Sequence, residues 1–393
     1  MIKISELPIP PEEYQKEIVE SLNPRISEHP MMSPDERYFL NGLLAYYKPT
    51  NVLELGVNFG EGSAQILHNI RNTPEAKLTS IDLAEFAFYN EIIDEKKNTK
   101  RGVISDEPIG KFAFTHPDLP LDKWTLVTGK DPSEVIAGLD NSKDGYDFLV
   151  LDTAHLHPIE LLNFLCVLPY LRDGAIVVLH DITLFALYIP PYAFACRQLF
   201  GAVVAERIQL NSRFSNIGAF QVSADTRKYI QNVFESLVLP WEIDPRNVRT
   251  SAIATLLNEH YALKELSVFR EALRLNMHYY VSGKIEWHCW ENMRTELFVS
   301  HLFGQTIYYG AGRNMADCLE YCKQNDIVFE APIWDIAADK IGEICGHRVT
   351  VPDYSSSGIK KTLIITIWDE QIRETVRVQF EKLGYTVKCY IWN

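Results

Sequence analysis

The sequence has little of what would tie it to nucleic acid, to a membrane or to an oxidising compartment. Lys and Arg together number 38 against 52 Asp and Glu, for a formal net charge of −14. Nucleic-acid backbones are held chiefly by clustered cations. The densest basic stretch, Lys96-Lys97-Asn98-Thr99-Lys100-Arg101, is short and fits a solvated loop, so no nucleic-acid partner is expected. Seven cysteines are scattered through 393 residues without the paired spacing of a zinc knuckle or a disulfide framework. Cys318 and Cys322 fall on one helix face, and all seven read as reduced thiols. No apolar run reaches the roughly 20 residues that cross a bilayer. The most apolar late stretch, Ile182 to Cys196, is interrupted by Pro190 and Pro191, and Met1 to Pro8 lacks the apolar region of a secretory signal. These absences predict a cytoplasmic protein with no membrane partner. The Gly-x-Gly-x-x-Gly run that admits a dinucleotide's pyrophosphate is also missing.

Hydrophobic residues make up 47% of the chain, enough for one large core or two ordinary ones. The most informative segment is Asn51-Val-Leu-Glu-Leu-Gly-Val-Asn-Phe-Gly-Glu-Gly-Ser63. An apolar run carrying Glu54 breaks into Gly56, Gly60 and Gly62, and helical periodicity resumes from Ser63 to Arg71. Strand, glycine turn and helix form the opening unit of a doubly wound α/β fold, with ligands received at the carboxyl end of the strand. Lys77 to Ile81 reads as a second strand ending at Asp82, where an acid can accept the two hydroxyls of a ribose. This is a nucleoside-binding arrangement. Further strands follow at Trp124–Thr128, Tyr146–Leu151 and Gly174–Leu179, the last two nearly unbroken apolar runs, as expected of strands covered on both faces. They end at Asp152-Thr-Ala-His155 and at His180-Asp181. One sheet edge thus collects two acids and two imidazoles, a set compatible with a divalent cation. The other reading of these residues is polar strand ends that cap loops. His157, before Pro158 at a helix entrance, reads as structural.

The spacing Glu-Leu-Gly-x-x-x-Gly-x-Gly-Ser resembles motif I of class I methyltransferases, and the later segments resemble the metal-dependent sugar O-methyltransferases of the macrocin O-methyltransferase and cephalosporin hydroxylase group. The resemblance covers about residues 45–222. It implies S-adenosylmethionine as cofactor, held by Glu54, Gly56, Asn58, Gly60, Gly62 and Ser63, by Asp82 at the ribose, and by Gly129, Lys130 and Asp131 beside the adenine. It implies a divalent cation, Mg²⁺ or Mn²⁺, on Asp152, His180 and Asp181, although the group commonly has an acid where this chain has His180. Asp152 and His155 are the implied catalytic residues, His155 as the base that takes the acceptor's proton. The acceptor would be a sugar or another small molecule. Two rivals stay open: a metal-independent methyltransferase using His155 alone, and a nucleotide-sugar-binding or assembly protein without chemistry.

Three regions are expected. Residues 1–225 form a seven-stranded Rossmann-like methyltransferase domain under an N-terminal helical cover, closed by a hairpin at about 202–222. Between its second and third strands lies a polar insertion, 84–123, whose Phe86, Phe88, Tyr89, Phe112 and Phe114 suit stacking on a ring or packing of the loop. Residues 226–302 are a helical linker whose stripe from Ile253 to Met277 fits a core or a homo-oligomer seam. Residues 303–393 restart strand, glycine turn and helix at Thr306 to Gly312. This part resembles the small Rossmann-like domain trailing many glycan-modifying enzymes, and it would either hold a nucleotide-sugar or serve as scaffold.

Overall fold

The computed structural model describes residues 3–14, 32–94, 99–187, 193–212, 214–282, 306–324, 328–355, 361–367 and 369–389. The chain divides into two compact units, Met1–Ile243 and Asp244–Asn393. The first unit therefore runs past the boundary expected at 225.

The first unit opens with helix α1, Pro34–Tyr47. Ser33 caps it with proline at the first helical position, and Ser33 and Glu36 each bond the other's backbone N–H in a reciprocal box. Strand β1 (Asn51–Leu55) is buried along its whole length. Helix α2 (Glu61–Ile70) and strand β2 (Lys77–Asp82) complete the first crossover. An antiparallel pair, β3 (Phe86–Asp94) and β4 (Thr99–Pro108), then leaves the main sheet, followed by the short helix α3 (Lys111–Thr115). The unit continues through β5 (Trp124–Thr128), α4 (Pro132–Val135), β6 (Tyr146–Leu151), α5 (Ile159–Val167), β7 (Leu171–Leu179), α6 (Ala195–Ala202), β8 (Arg207–Gln209) and β9 (Gly218–Gln221). Helices α7 (Ala224–Lys228) and α8 (Gln231–Ser236) close it.

Seven strands form one sheet in the order β5-β2-β1-β6-β7-β9-β8. The first five are parallel, and β9 runs antiparallel to both β7 and β8. The order reverses at β1, so the crevice at the carboxyl ends of β1, β2 and β6 is the ligand position of such a sheet. Phe39, Leu40, Leu43 and Leu44 of α1 pack with Ile66, Leu67 and Ile70 of α2 in one core, which seats the helical cover. The sixth strand is shorter than Ala202 to Ile208 suggests, because α6 continues through Ala202. The insertion forms a hairpin rather than a loop. Among the described residues, it gives Ala87 and Ile109 to a small cluster with Val57, while Phe86, Phe88 and Ile104 stay exposed.

The second unit begins with helices α9 (Thr250–His260) and α10 (Leu263–Ser282), two helices where one stripe was read. Trp287, His288 and Trp290 lie outside the described residues. The unit's α/β part comprises β10 (Thr306–Tyr309), α11 (Arg313–Gln324), β11 (Ile333–Trp334), α12 (Ala338–Ile341), β12 (Glu343–Ile344), β13 (His347–Thr350), β14 (Thr362–Ile365), α13 (Glu370–Lys382) and β15 (Thr386–Cys389). Its sheet order is β12-β13-β11-β10-β14-β15, parallel except at β12. Cys318 and Cys322 face the core of this unit together with Met315.

Candidate functional site

The glycine turn after β1 is built for close backbone approach. Gly56 has φ +84°, and a Cβ there would stand 1.7 Å from the Asp152 carbonyl oxygen, where no side chain fits. Asp82 holds the turn from β2: its Oδ2 accepts the backbone N–H of Val57 (2.8 Å) and Asn58 (3.1 Å), and its Oδ1 accepts that of Ala84 (2.8 Å). The acid read as a ribose acceptor is thus also the clamp of the turn. The second unit repeats this wiring. Gly310 has φ +110°, and Asp335 after β11 accepts the N–H of Ala311 and Ala337, each at 2.8 Å.

Asn58, read as a cofactor contact, spends its amide on the hairpin. It donates to the Phe88 carbonyl (2.9 Å) and accepts the Phe88 N–H (2.8 Å), while its own carbonyl accepts the Gly110 N–H (2.8 Å). Glu54 lies inside, accepting the hydroxyls of Ser63 and Ser80 at 2.6 Å each. Burial pushes its pKa up to about 7, against the pull of those two hydroxyls. Gly62 sits beside it: a Cβ there would meet the Glu54 Oε1 at 2.7 Å. Gly60 closes on the insertion, where a Cβ would stand 2.8 Å from the Gly110 Cα. On the far side of β2, Gly129 and Lys130 donate their N–H groups to the carbonyls of Ala84 and Asp82 (3.2 and 3.3 Å). Asp131 caps α4.

The second half of the site gathers at the ends of β6 and β7. His180 Nδ1 is 3.2 Å from Asp152 Oδ1 and 3.6 Å from Asp181 Oδ2. His155 Nε2 is 3.2 Å from the same Asp181 oxygen and 3.7 Å from the same Asp152 oxygen. Two carboxylates and two imidazoles therefore alternate around one point. Donors placed about 2.1 Å from a shared ion stand roughly 3–3.5 Å apart, and the separations here, 3.2 to 3.7 Å, are near enough for small side-chain shifts to gather these donors on a divalent cation. Asp152, His155 and Asp181 offer ligand atoms all within 4.8 Å of one another. His155, read from the sequence as a base, thus stands among the donors as well. His155 (φ +60°) and Asp181 (φ +56°) are two of the six non-glycine residues in the left-handed region, with Lys48, Asn58, Ala193 and Cys345, among the described residues.

Three of the four donors have a partner behind them. Asn216 Nδ2 donates to Asp181 Oδ1 at 2.5 Å. Glu36 Oε2, from α1, lies 3.6 Å from His180 Nε2. Buried Glu160 accepts the Thr153 hydroxyl (3.0 Å) and stands 3.8 Å from His155 Nδ1, as does the Cys196 sulfur. Burial opposes charge on His180, yet Asp152 and Asp181 outweigh it and hold the imidazole's pKa well above the ordinary value. Burial likewise opposes charge on Asp152 and Glu36, and His180 outweighs it, with Glu36 pulled down to about 2. The pocket is one of carboxylates in want of positive charge. Burial pushes the Glu160 carboxyl and the Cys196 thiol up instead, against the pull of His155 and Thr153 on Glu160.

Glu36, Glu160, Cys196 and Asn216 were not singled out in the sequence. Ser33-Pro-Asp-Glu36 does spell a capping box, but nothing in it shows that the glutamate turns inward. Glu160 has the form of an ordinary first-turn acid. His157 is fully buried and stacked on Phe194, with burial taking its pKa down to about 4, which is a structural setting.

Residues 53–182 match the family model of a methyltransferase domain. With the strand order above, this makes the first unit a methyltransferase domain of the S-adenosylmethionine-dependent class. No curated protein matches the sequence. Among solved structures, the O-methyltransferase TomG of Streptomyces achromogenes, involved in tomaymycin synthesis and solved with SAM, is 16% identical over 53% of this chain and 88% of its own, with a TM-score of 0.36. An O-methyltransferase from Bacillus cereus in complex with SAH is 17% identical over 56% and 94%, with a TM-score of 0.33. A putative caffeoyl-CoA O-methyltransferase from Staphylococcus aureus is 15% identical over 52% and 92%, with a TM-score of 0.35. At these values the likenesses add nothing to what the family model and the strand order establish. Among the described residues no helix is long and apolar enough to cross a membrane.

Proposed function

We propose that the protein transfers a methyl group from S-adenosylmethionine to a hydroxyl of a sugar, glycan or related small molecule, with a divalent cation at the acceptor. The observation that carries this reading is the alternating set Asp152, His155, His180 and Asp181 beside the glycine turn of a methyltransferase sheet. Glu54 and the turn Gly56 to Ser63 would place the cofactor. Asp82, with its remaining acceptor capacity, would take the ribose hydroxyls, and Gly129 to Asp131 would flank the adenine. Methyl transfer needs the acceptor oxygen in line with the sulfonium and more anionic than a free hydroxyl. Asp152, His180 and Asp181 would hold the cation, with its remaining positions open to hydroxyls; a bound cation lowers the pKa of an oxygen it touches. His155 is more exposed than His180 (22% against 4% of the side chain), so it can reach an acceptor and take its proton. Two imidazoles favour Mn²⁺ over Mg²⁺.

A second reading is favoured by the convergence of His155 with Asp152 and Asp181: His155 would then be a ligand. H155A separates the two, keeping its Mn²⁺ by plasma analysis if the histidine is a base and losing it if it is a ligand. The main reading is tested by D152N and D181N. Each should abolish turnover on a polyol acceptor and leave the calorimetric affinity for S-adenosylmethionine nearly unchanged. Full turnover in EDTA-treated protein free of metal would overturn the role of the cation and leave His155 acting alone. The region 226–302 is proposed as a helical connector and 303–393 as a scaffold domain; its repeated aspartate clamp also suits a nucleotide-sugar holder, which saturable binding of one would favour.

A further inference from the structure

We infer that Glu36, on the covering helix α1, is a positioning residue of the cation site; the inference rests on the cation reading above. His180 has two ring nitrogens, each beside a carboxylate, and its Nε2 is buried without a hydrogen-bond partner among the described residues. Nδ1 faces the oxygens of Asp152 and Asp181, and Nε2 faces Glu36 Oε2 at 3.6 Å. A histidine that gives one nitrogen to a metal must keep its proton on the other, and a carboxylate behind it fixes both tautomer and ring direction. Glu36 occupies that position. Its role in the helix cap does not explain its burial. A cap glutamate works at the surface, whereas Glu36 is only 6% exposed, and enclosing a carboxylate without a charged partner is strongly unfavourable.

The residues around Glu36 hold it in place. The Ser33 N–H donates to Glu36 Oε2 at 2.5 Å, the same oxygen that faces His180, and the Ser33 hydroxyl accepts the Glu36 N–H at 3.4 Å. The next residue, Arg37, is buried and donates through Nη1 to Glu61 Oε1 and to the Met32 carbonyl, each at 2.8 Å. Glu61 begins α2, directly after the glycine turn. Two successive residues of α1 therefore reach the two halves of the site, Glu36 the cation donors and Arg37 the cofactor turn. Seating of this helix and loading of the cation must then favour each other, since binding couplings are reciprocal.

The test measures Mn²⁺ affinity of the full chain by calorimetry and by the electron paramagnetic resonance signal of free Mn²⁺. Gln serves in a capping box as Glu does, so E36Q keeps the helix start and removes only the charge behind His180. Its Mn²⁺ affinity should fall about 10–100-fold, the usual effect of losing an outer partner. E36D, which keeps the charge and draws it back, should fall less, and it carries the test should E36Q not fold. S33A weakens the cap without touching His180 and should lower thermal stability with Mn²⁺ affinity unchanged. Wild-type affinity in both E36Q and E36D, beside normal uptake by the wild type, would overturn the inference alone. Absence of Mn²⁺ uptake by the wild type would overturn the cation reading and this inference with it.

Discussion

At Glu54 a carboxyl group is enclosed by Ser63, Ser80 and the glycine turn, and burial raises its pKa from 4.5 to about 7. The native state therefore holds a proton that the unfolded chain releases between those values. Stability from this group is complete below about pH 4.5 and is lost as pH rises through about 7, a change on the order of 3 kcal/mol. The unfolding free energy of the wild type minus that of E54Q, measured in urea, should fall across this window. A flat difference would mean that Glu54 is ionised in the folded protein throughout. At this scale the sequence was half legible. Asp152, His155, His180 and Asp181 could be placed on one rim because strand ends are readable from apolar runs. Their partners could not, because Glu36 and Glu160 have the form of ordinary first-turn helix acids and Asn216 sits in the loop before β9.

The glycine turn and the β3–β4 hairpin form a joint element, and Gly60 is where they meet. A side chain at 60 would strike the Gly110 backbone, and the φ of +89° disfavours any β-branched residue. G60V should lower both the thermal midpoint and the affinity for S-adenosylmethionine, read by scanning and titration calorimetry. An unaltered affinity would separate the turn from the cofactor. The hairpin itself was not legible as strands. Its aromatics point outward at Phe86 and Phe88, so the usual sign of a half-buried strand, apolar residues turned to a core, was nearly absent. Phe114 is instead packed against Trp124, with ring centroids 4.8 Å apart. By contrast β6 could be read to the residue, while β7 begins at Leu171, before the apolar run from Gly174, through the exposed Arg172 and Asp173. The sixth strand was overextended because Ala202 and Val203 suit a helix end as well as a strand.

Across the whole chain, the doubly wound first unit was legible from five strand ends and their glycine turn, while its far boundary was not. Helices α7 and α8 and Trp241 belong to the unit ending at Ile243, and their short amphipathic segments resemble a linker when read alone. A protein cut after Ile243 should still bind S-adenosylmethionine, because every proposed cofactor contact lies within Met1–Ile243. Loss of that binding in a cut chain that keeps its circular dichroism would give the second unit a part in the site. The link between Asn58 and Phe88 has a consequence in time. If the cofactor lies under this turn as proposed, its departure requires the two hydrogen bonds between the Asn58 side chain and the Phe88 backbone to open, and the expected consequence is that release of the spent cofactor sets the pace of each cycle. N58A should shorten the residence of S-adenosylhomocysteine in a stopped-flow chase and raise the steady-state rate at saturating acceptor, making the protein a faster catalyst that grips its cofactor less.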